Sequence, residues 1–243
     1  MTTPTDSSFG RIDQASPWYR RYPAALFLAA LTLAIISSPY TEAMPEGDLI
    51  EAARLTLVLL TGLLAMGRQR RRVVWGICLV LPALIGKWLD HWQPDLVPDW
   101  SFLVPGVLFV IFVVGHLLHF ILRAPQVNSE VLCAGISGYL LLGLLWALAY
   151  TLSAQLIPDA FAFTAGPAGS HNAMAGFTAL YYSFITLSTV GYGDIVPVSG
   201  AARMLAMVEA TVGIFYTTVL LARLVSLYSS SPPEAGPEDK AGL

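Results

Sequence analysis

Runs of about twenty apolar residues recur along this chain, and they restrict its fold more than any other feature of the sequence. A helix of about 20 such residues crosses the roughly 30 Å hydrocarbon core of a bilayer. Hydrophobic residues make up 56% and charged residues 12% of the 243 residues. Soluble domains average about 25% charged residues. The sequence therefore predicts an all-α membrane protein, and its net charge of −3 argues against a nucleic-acid partner.

Six apolar runs predict six transmembrane helices, and the second is the weakest because Glu51 and Arg54 lie near its start. We expect the first helix to end just before Pro39, since proline disfavours a helical conformation in the residue before it. A shorter helix is expected between the fifth and sixth spans, over about residues 175–188. The predicted spans are 22–38, 48–66, 73–89, 102–122, 131–157 and 201–228.

Lysine and arginine positions predict the orientation. With a cytoplasmic N-terminus, ten of the 13 lie on the cytoplasmic side. We therefore expect a multi-pass protein of the cell membrane with both termini in the cytoplasm. The other three, Arg54, Lys87 and Arg203, lie near outer helix ends, where long side chains reach the interface. A cytoplasmic arginine cluster is explained either by this topology signal or by binding of anionic lipid. Its members are Arg68, Arg70, Arg71 and Arg72.

Polar segments flank the spans. Residues 1–21 are predicted to be a cytoplasmic N-terminal tail that is disordered over residues 1–17, and residues 229–243 a disordered cytoplasmic tail. The first apolar run lacks a small-residue cleavage pattern, so we expect it to be retained. Cys78 and Cys133 lie in or beside apolar segments and suggest neither a disulfide framework nor a metal site.

The segment 179–197 reads ALYYSFITLSTVGYGDIVP and is too short to cross the membrane twice as regular structure. Irregular backbone at membrane depth is tolerated only where protein buries it or where it lines a water-filled cavity. Gly191 and Gly193 alternate with larger residues, and glycine accepts positive φ without steric cost. A re-entrant loop is therefore predicted. The five residues before Asp194 are Thr189, Val190, Gly191, Tyr192 and Gly193.

These five residues spell TVGYG, the sequence of potassium-channel selectivity filters, in which backbone carbonyls replace the hydration shell of the ion. Residues 131–228 accordingly resemble the pore module of the tetrameric potassium-channel superfamily: outer helix, pore helix, filter and inner helix. In that family four copies surround one axis, so the resemblance implies a homotetramer with three further copies of this chain. It also implies passive K⁺ conduction by a compact, prokaryotic-type channel, with no catalysis, no organic cofactor and no metal other than K⁺.

The resemblance also assigns supporting roles around the filter. Two tyrosines match aromatic positions that brace it, and an aspartate matches the carboxylate just outside it. The supporting residues are Tyr181, Tyr182, Thr186, Ser188 and Asp194. Some members have a glutamate four residues before the filter threonine, where this chain has Ile185, so filter-inactivation behaviour does not follow from the resemblance.

In the last helix, Gly213 falls where the family often has a hinge glycine, although close helix packing explains a glycine equally well. Ile214, Thr217 and Leu221 share one helix face and are predicted to line an inner cavity. Glu209 lies deep in this helix, where a charge is costly. We expect it either near the pore, where it would concentrate cations, or hydrogen-bonded against the pore helix.

Residues 22–123 are predicted to form a four-helix domain that resembles a voltage sensor without its arginines. Voltage sensing requires several charges in the fourth helix, where this chain has His116, His119 and the terminal Arg123. We therefore predict weak or absent voltage dependence. The two histidines share a face and suggest either pH sensing or a structural role.

The sequence also has features that bear on three other functions. Gly135–Gly138 reads GISG and matches the motif around the nucleophile of rhomboid-type intramembrane proteases. The last helix, however, has no histidine to act as the base for Ser137. A transporter would commonly show broken helices in two repeated halves, whereas only one break is apparent here. A non-conducting regulatory subunit would have no need of an intact filter.

Overall fold

The structure, a computed structural model, describes residues 23–41, 47–65, 70–92, 100–124, 128–164 and 173–229. Within these ranges the chain forms seven helices and one two-stranded sheet. The predicted tails lie outside the described residues, except that Ser229 ends the last helix. The elements are α1 (Pro23–Thr41), α2 (Gly47–Ala65), α3 (Arg70–Trp92), α4 (Trp100–Arg123), α5 (Ser129–Leu156), β1 (Phe161–Phe163), α6 (Gly176–Leu187), β2 (Ile195–Pro197) and α7 (Gly200–Ser229).

The six predicted spans correspond to six observed helices, whose lengths and apolarity differ. Among the described residues, three helices are long and apolar enough to cross a membrane: Leu103–Arg123, Ser129–Leu156 and Gly200–Ser226. The apolar parts of the other three are shorter. They are Ala24–Tyr40, Ala52–Leu63 and Val74–Leu89. A membrane crossing by α1, α2 and α3 therefore stays a prediction.

One predicted boundary is wrong. Pro39 lies inside α1, which continues to Thr41. A proline removes one backbone hydrogen bond and crowds the preceding turn, but membrane helices tolerate it where neighbouring groups satisfy the backbone. Pro82 in α3 and Pro105 in α4 are accommodated inside helices in the same way.

The first four helices pack on one another and on α5 of the same chain. α1 contacts α2 and α5, and α4 contacts α3 and α5. Only residues 124–128 connect α4 to α5. At the start of α5, Oδ1 of Asn128 accepts a hydrogen bond of 2.9 Å from the amide of Val131, which satisfies one of the unpaired amides of the first turn. The largest fully buried apolar side chains of the four-helix part are Phe27, Leu31, Leu59, Phe109, Val113 and Ile121.

The sheet joins the chain segment that precedes α6 to the segment that follows it. β1 and β2 are antiparallel, with Phe161 opposite Pro197 and Phe163 opposite Ile195. A cluster of aromatic rings lies beneath, in which Tyr150 of α5 meets Phe161 and Tyr182 edge to face at centroid distances of 5.7 and 4.8 Å. We call the end of the bundle that contains the sheet and the first turn of α6 the mouth end.

Candidate functional site

The segment 188–191 is anchored to the last turn of α6 through its amides. The amide of Ser188 donates to the carbonyl of Phe184 at 3.0 Å, and that of Thr189 to Thr186 at 3.0 Å. The next two amides, of Val190 and Gly191, both donate to the carbonyl of Ile185, at 2.9 and 3.3 Å. The N–H groups at the start of the TVGYG segment are thus directed toward the helix.

The backbone of this segment alternates in handedness. Thr189, Gly191 and Gly193 have φ of 62°, 56° and 80°. Alternating left- and right-handed residues bring successive N–H groups to one side of the chain, which places the carbonyls on the other side. Thr189 is a β-branched residue with positive φ, a conformation that costs of the order of 1–3 kcal/mol and persists only where the surroundings impose it.

The segment is exposed in a single chain. The residues from Ser188 to Gly193 are all exposed, with Val190 53% and Tyr192 72% accessible. One chain therefore presents a single row of carbonyls and a large aromatic side chain that it does not itself cover. Uncovered backbone carbonyls at membrane depth require protein, water or an ion as a partner.

Two of the predicted supporting residues, Tyr181 and Asp194, contact each other beside the segment. The hydroxyl of Tyr181 donates to Oδ2 of Asp194 at 2.7 Å, and Oδ1 of Asp194 accepts from the amide of Ile195 at 3.1 Å. The hydrogen bond to Asp194 raises the pKa of Tyr181 to about 12, so the phenol stays protonated at physiological pH. Tyr181 thus connects α6 to the residue that follows the TVGYG segment.

The other three supporting residues act within α6 or behind it. Tyr182 is buried in the aromatic cluster with Tyr150 and Phe161, so it braces the back of α6. The hydroxyl of Thr186 donates to the carbonyl of Tyr182 at 2.8 Å, and that of Ser188 to the carbonyl of Phe184 at 2.6 Å. Both hydroxyls therefore bond to their own helix.

Thr164 is a contact residue that the sequence did not reveal. Its hydroxyl lies 3.0 Å from the carbonyl oxygens of both Gly193 and Asp194, and its amide donates to the Asp194 carbonyl at 2.8 Å. Thr164 follows β1 and Asp194 precedes β2, so the strand pairing brings them together across 30 positions. No local pattern marks such a contact.

Glu209 is enclosed by side chains of its own chain. Its side chain is fully buried. Oε2 accepts a hydrogen bond from the hydroxyl of Tyr150, and Oε1 lies 2.6 Å from the hydroxyl of Ser183. The Ser183 hydroxyl also reaches the carbonyl of Gly143 at 2.8 Å. Glu209 therefore joins α7 to α5 and α6, as the hydrogen-bonded alternative predicted.

Gly213 allows a close approach between two helices. A Cβ atom there would lie 2.3 Å from the carbonyl oxygen of Leu187, the last residue of α6. α7 is continuous through this position. The close-packing explanation of Gly213 is therefore sufficient, and hinge bending stays a prediction.

The predicted cavity residues lie on an uncovered face of α7. Ile214 is 55% and Leu221 64% accessible, and Thr217 is also exposed. The Thr217 hydroxyl bonds to the helix carbonyls of Gly213 and Ile214, both at 3.0 Å. Their own chain leaves this face available to an ion pathway or to a neighbouring subunit.

Ser137 is unsuited to nucleophilic catalysis. Its side chain is fully buried. The neighbouring Gly138 lies so close to the Tyr216 hydroxyl that a Cβ atom would be 2.3 Å away. Within the described part of the chain the Ser137 hydroxyl has no hydrogen-bond partner, so no base contacts it. The GISG motif is a packing surface, because Tyr216 also donates to the Gly135 carbonyl at 2.7 Å.

The remaining candidates lie apart from the TVGYG segment. His116 is half-buried and His119 is exposed, both in the last two turns of α4. In the arginine cluster, Arg68 lies outside the described residues, and Arg70, Arg71 and Arg72 begin α3. Cys78 and Cys133 are free, and no group that could hold a metal occurs among the described residues. pH sensing and lipid binding at these positions stay predictions.

Comparison with known proteins gives partial matches. A family model described as "Ion channel" matches residues 138–230. Two-pore potassium channel 4 of Arabidopsis thaliana is 46% identical over 48 residues, 20% of this chain and 17% of the relative. Two pore potassium channel c of Oryza sativa subsp. japonica is 36% identical over 70 residues, 29% of this chain and 14% of the relative. Voltage-gated potassium channel Kch of Escherichia coli (strain K12) is 47% identical over 51 residues, 21% of this chain and 12% of the relative.

Each match thus spans less than a fifth of the relative's length. The family model includes most of α5, all of α6, the TVGYG segment and α7. This family match therefore covers the elements that surround the candidate site, and α1 to α4 lie outside it.

Proposed function

We propose that this protein passes K⁺ passively and selectively across the cell membrane, because residues 138–230 match an ion-channel family model and the similar proteins are potassium channels. The ion is coordinated by carbonyl oxygens of Thr189–Gly193 and by the Thr189 hydroxyl. The protein supplies oxygen ligands in place of water and uses neither catalysis nor an organic cofactor.

The observation that carries this proposal is the alternating backbone of the TVGYG segment. Positive φ at Thr189, Gly191 and Gly193 supports a row of carbonyls on one side. The amides of residues 188–191 are held by α6, so the carbonyls bear the partial negative charge that a dehydrated cation requires. The strained backbone of Thr189 also favours a functional role for this segment, because such strain is concentrated at functional sites.

Four copies of the chain complete the site in this proposal. One row of carbonyls cannot surround an ion, and four rows around one axis form successive rings. The exposed Tyr192 and the uncovered face of α7 supply the apolar surface that such contacts would bury. In the apolar 18-residue stretch of α7, 17% of the residues are buried within their own chain, compared with 50% in the corresponding stretch of α5. This difference fits an inner position for α7, where neighbouring copies would cover it.

The test is rubidium flux into liposomes that contain the purified protein, with Na⁺ flux measured in parallel. We expect the unmodified protein to pass Rb⁺ and exclude Na⁺. Gly191→Ala should reduce Rb⁺ flux more than about ten-fold, because a side chain at φ of 56° costs about 1–2 kcal/mol in each copy. Gly191→Asp should abolish the flux.

Gly106→Ala is the matched control, because an added Cβ atom meets nothing within 4 Å at either glycine and Gly106 lies in α4. It should conduct normally. Tetrameric elution of each variant separates a conduction defect from misfolding. Undiminished Rb⁺ flux in Gly191→Ala and Gly191→Asp tetramers would remove the filter assignment. An unmodified protein without flux would indicate a non-conducting subunit, and flux coupled to a second ion would indicate a transporter.

A further inference from the structure

The two ends of the TVGYG segment are held by different parts of the molecule. The inner end is anchored to α6 through its amides. The outer end is held through carbonyls, because the hydroxyl of Thr164 lies 3.0 Å from the carbonyl oxygen of Gly193 and 3.0 Å from that of Asp194. Thr164 directly follows β1. The last carbonyl of the segment is therefore contacted by an element other than the helix that anchors the first residues.

The sheet fixes the position of Thr164. Its amide donates to the Asp194 carbonyl at 2.8 Å and so extends the pairing of β1 with β2 by one residue. Within the sheet, Phe161 and Ile195 are buried in the core that includes the aromatic cluster. Threonine is branched at Cβ, so its side chain has few allowed rotamers. Backbone pairing and a stiff side chain thus hold the hydroxyl in place, although Thr164 itself is exposed.

The Gly193 carbonyl needs such a contact because its own backbone does not fix its direction. It belongs to the peptide unit between Gly193 and Asp194, and Gly193 has φ of 80°. Glycine adopts both signs of φ about equally readily, so local sterics leave this unit free to rotate. Beyond the unit, the Asp194 carbonyl is held by the Thr164 amide and the Asp194 side chain by Tyr181. Rotation of the unit would break the contact with the Thr164 hydroxyl.

The contact orients the Gly193 carbonyl and leaves it able to bind a cation. A hydroxyl has one proton to donate, and here two carbonyl oxygens lie at equal distances from it. A carbonyl oxygen has two lone pairs, so the oxygen of Gly193 can accept from Thr164 and still coordinate an ion. The geometry therefore provides an oriented oxygen ligand at the mouth end.

We propose that Thr164 is a positioning residue for K⁺ at the outermost ring of carbonyls. Its hydroxyl keeps the Gly193 carbonyl in the orientation that binds the ion as it enters or leaves at the mouth end. Thr164 acts through Gly193 and does not contact the ion itself. This inference rests on the proposed function, in which four Gly193 carbonyls form that ring. It adds that the affinity for K⁺ on the mouth side of the membrane depends on the residue after β1.

The experiment is single-channel recording in planar bilayers, with the K⁺ concentration varied on one side at a time. Thr164→Val removes the hydroxyl and keeps the branched shape. We expect it to raise the half-saturating K⁺ concentration on the mouth side about two- to ten-fold, the equivalent of one neutral hydrogen bond. The value on the opposite side should stay unchanged, because α6 anchors the inner end of the segment. Thr164→Ser keeps the hydroxyl and should behave as the unmodified protein.

Thr151→Val is the matched control, since the Thr151 hydroxyl bonds at 3.0 Å to the carbonyl of Ala147 in its own helix, α5. It should leave both half-saturating concentrations unchanged. Thr164→Ala also removes the Thr164 hydroxyl and provides the same measurement if the valine variant does not assemble. An equal rise on both sides in Thr164→Val would indicate a general structural defect and would overturn the positioning role. A rise in Thr164→Ser as large as that in Thr164→Val, or no rise in Thr164→Val, would overturn it too.

Calorimetric titration with K⁺ separates this inference from the proposed function, because binding requires no conduction. We expect the purified unmodified protein to bind K⁺, and Thr164→Val to bind it about two- to ten-fold more weakly. Equal affinities in a conducting protein would overturn the positioning role and leave the proposed function intact. Weaker binding by Thr164→Val in a protein that does not conduct would do the reverse. An unmodified protein that binds no K⁺ would overturn both.

Discussion

The two halves of the molecule are held together by different forces. Around α6, side-chain hydrogen bonds join separate elements: Tyr181 to Asp194, Thr164 to Gly193, and Glu209 to Tyr150. In α1 and α2, the hydroxyls of Ser37, Thr56 and Thr61 bond to carbonyls of their own helices. One long bond of 3.4 Å from Nε1 of Trp88 to Thr56 joins α3 to α2, and the helices meet mainly through buried apolar side chains. Directional bonds fix positions closely, whereas apolar contacts tolerate small displacements. The backbone around α6, which must keep a fixed geometry, is thus the part that side-chain hydrogen bonds hold in place.

The largest effect is expected at Glu209. Glu209→Leu leaves the buried hydroxyl of Tyr150 without its partner, which costs about 1–3 kcal/mol, and it also removes a contact of Ser183. We expect the melting temperature of the purified protein to fall by several degrees, at roughly 2–4 °C per kcal/mol for chains of this size, with loss of Rb⁺ flux.

Glu209→Gln is the matched variant, because its amide keeps one acceptor for Tyr150 and one donor for Ser183. It should retain most of the stability and flux. If the leucine variant were as stable as the unmodified protein, these hydrogen bonds would not be what stabilises the packing of α5, α6 and α7.

A smaller effect is expected at Tyr181. Tyr181→Phe removes the donor to Asp194 and with it the connection from α6 to the residue after the TVGYG segment. A hydrogen bond to a charged group contributes about 1.5–3 kcal/mol, and the partial exposure of Tyr181 places this one at the low end. We expect Rb⁺ flux to decline faster during sustained conduction and the melting temperature to fall by a few degrees, less than in Glu209→Leu.

Tyr40→Phe is the matched control for Tyr181→Phe, because it removes an exposed tyrosine hydroxyl from α1, in the four-helix part. It should leave both flux and melting temperature unchanged. A decline in flux equal to that of Tyr181→Phe would erase the distinction between the two halves.

The smallest effect is expected when voltage is varied. Each unit charge that crosses the full membrane field contributes about 2.3 kcal/mol per 100 mV. In the last two turns of α4 the titratable side chains are His116, His119 and Arg123, which supply little charge to move. Normalised conductance in planar bilayers should change little across the physiological voltage range. A steep dependence would show that the four-helix half does more than support the pore.

The sequence predicted those features that depend on local pattern. α6 was expected over about residues 175–188 and spans Gly176–Leu187, because an apolar run ends there at a turn before two spaced glycines. Positive φ at Gly191 and Gly193 followed from the same spacing. Positive φ at Thr189 did not, since threonine disfavours that conformation and only the bonds of the following amides to α6 explain it.

Features that depend on long-range contacts could not be predicted from the sequence. Thr164 reaches Gly193 through the pairing of two three-residue strands, whose sequences are too short to predict. Glu209 could be placed in the last helix but not on a face, because α7 is apolar around most of its circumference. Arg54 and Lys87 were expected to extend to the interface, whereas the packing of α2 and α3 brings both to one cavity.

The brief connection of residues 124–128 has a consequence for assemblies of mixed composition. A hydrogen bond of 2.9 Å from Nη2 of Arg223 to the carbonyl of Ala124 joins this connection to the C-terminal third of α7 in the same chain. In the proposed tetramer, a stimulus received by the first four helices of one copy would therefore reach α7 of that copy before it reaches α7 of a neighbour. Proposed tetramers that combine sensitive and insensitive copies would respond in graded steps, one for each sensitive copy, instead of all at once.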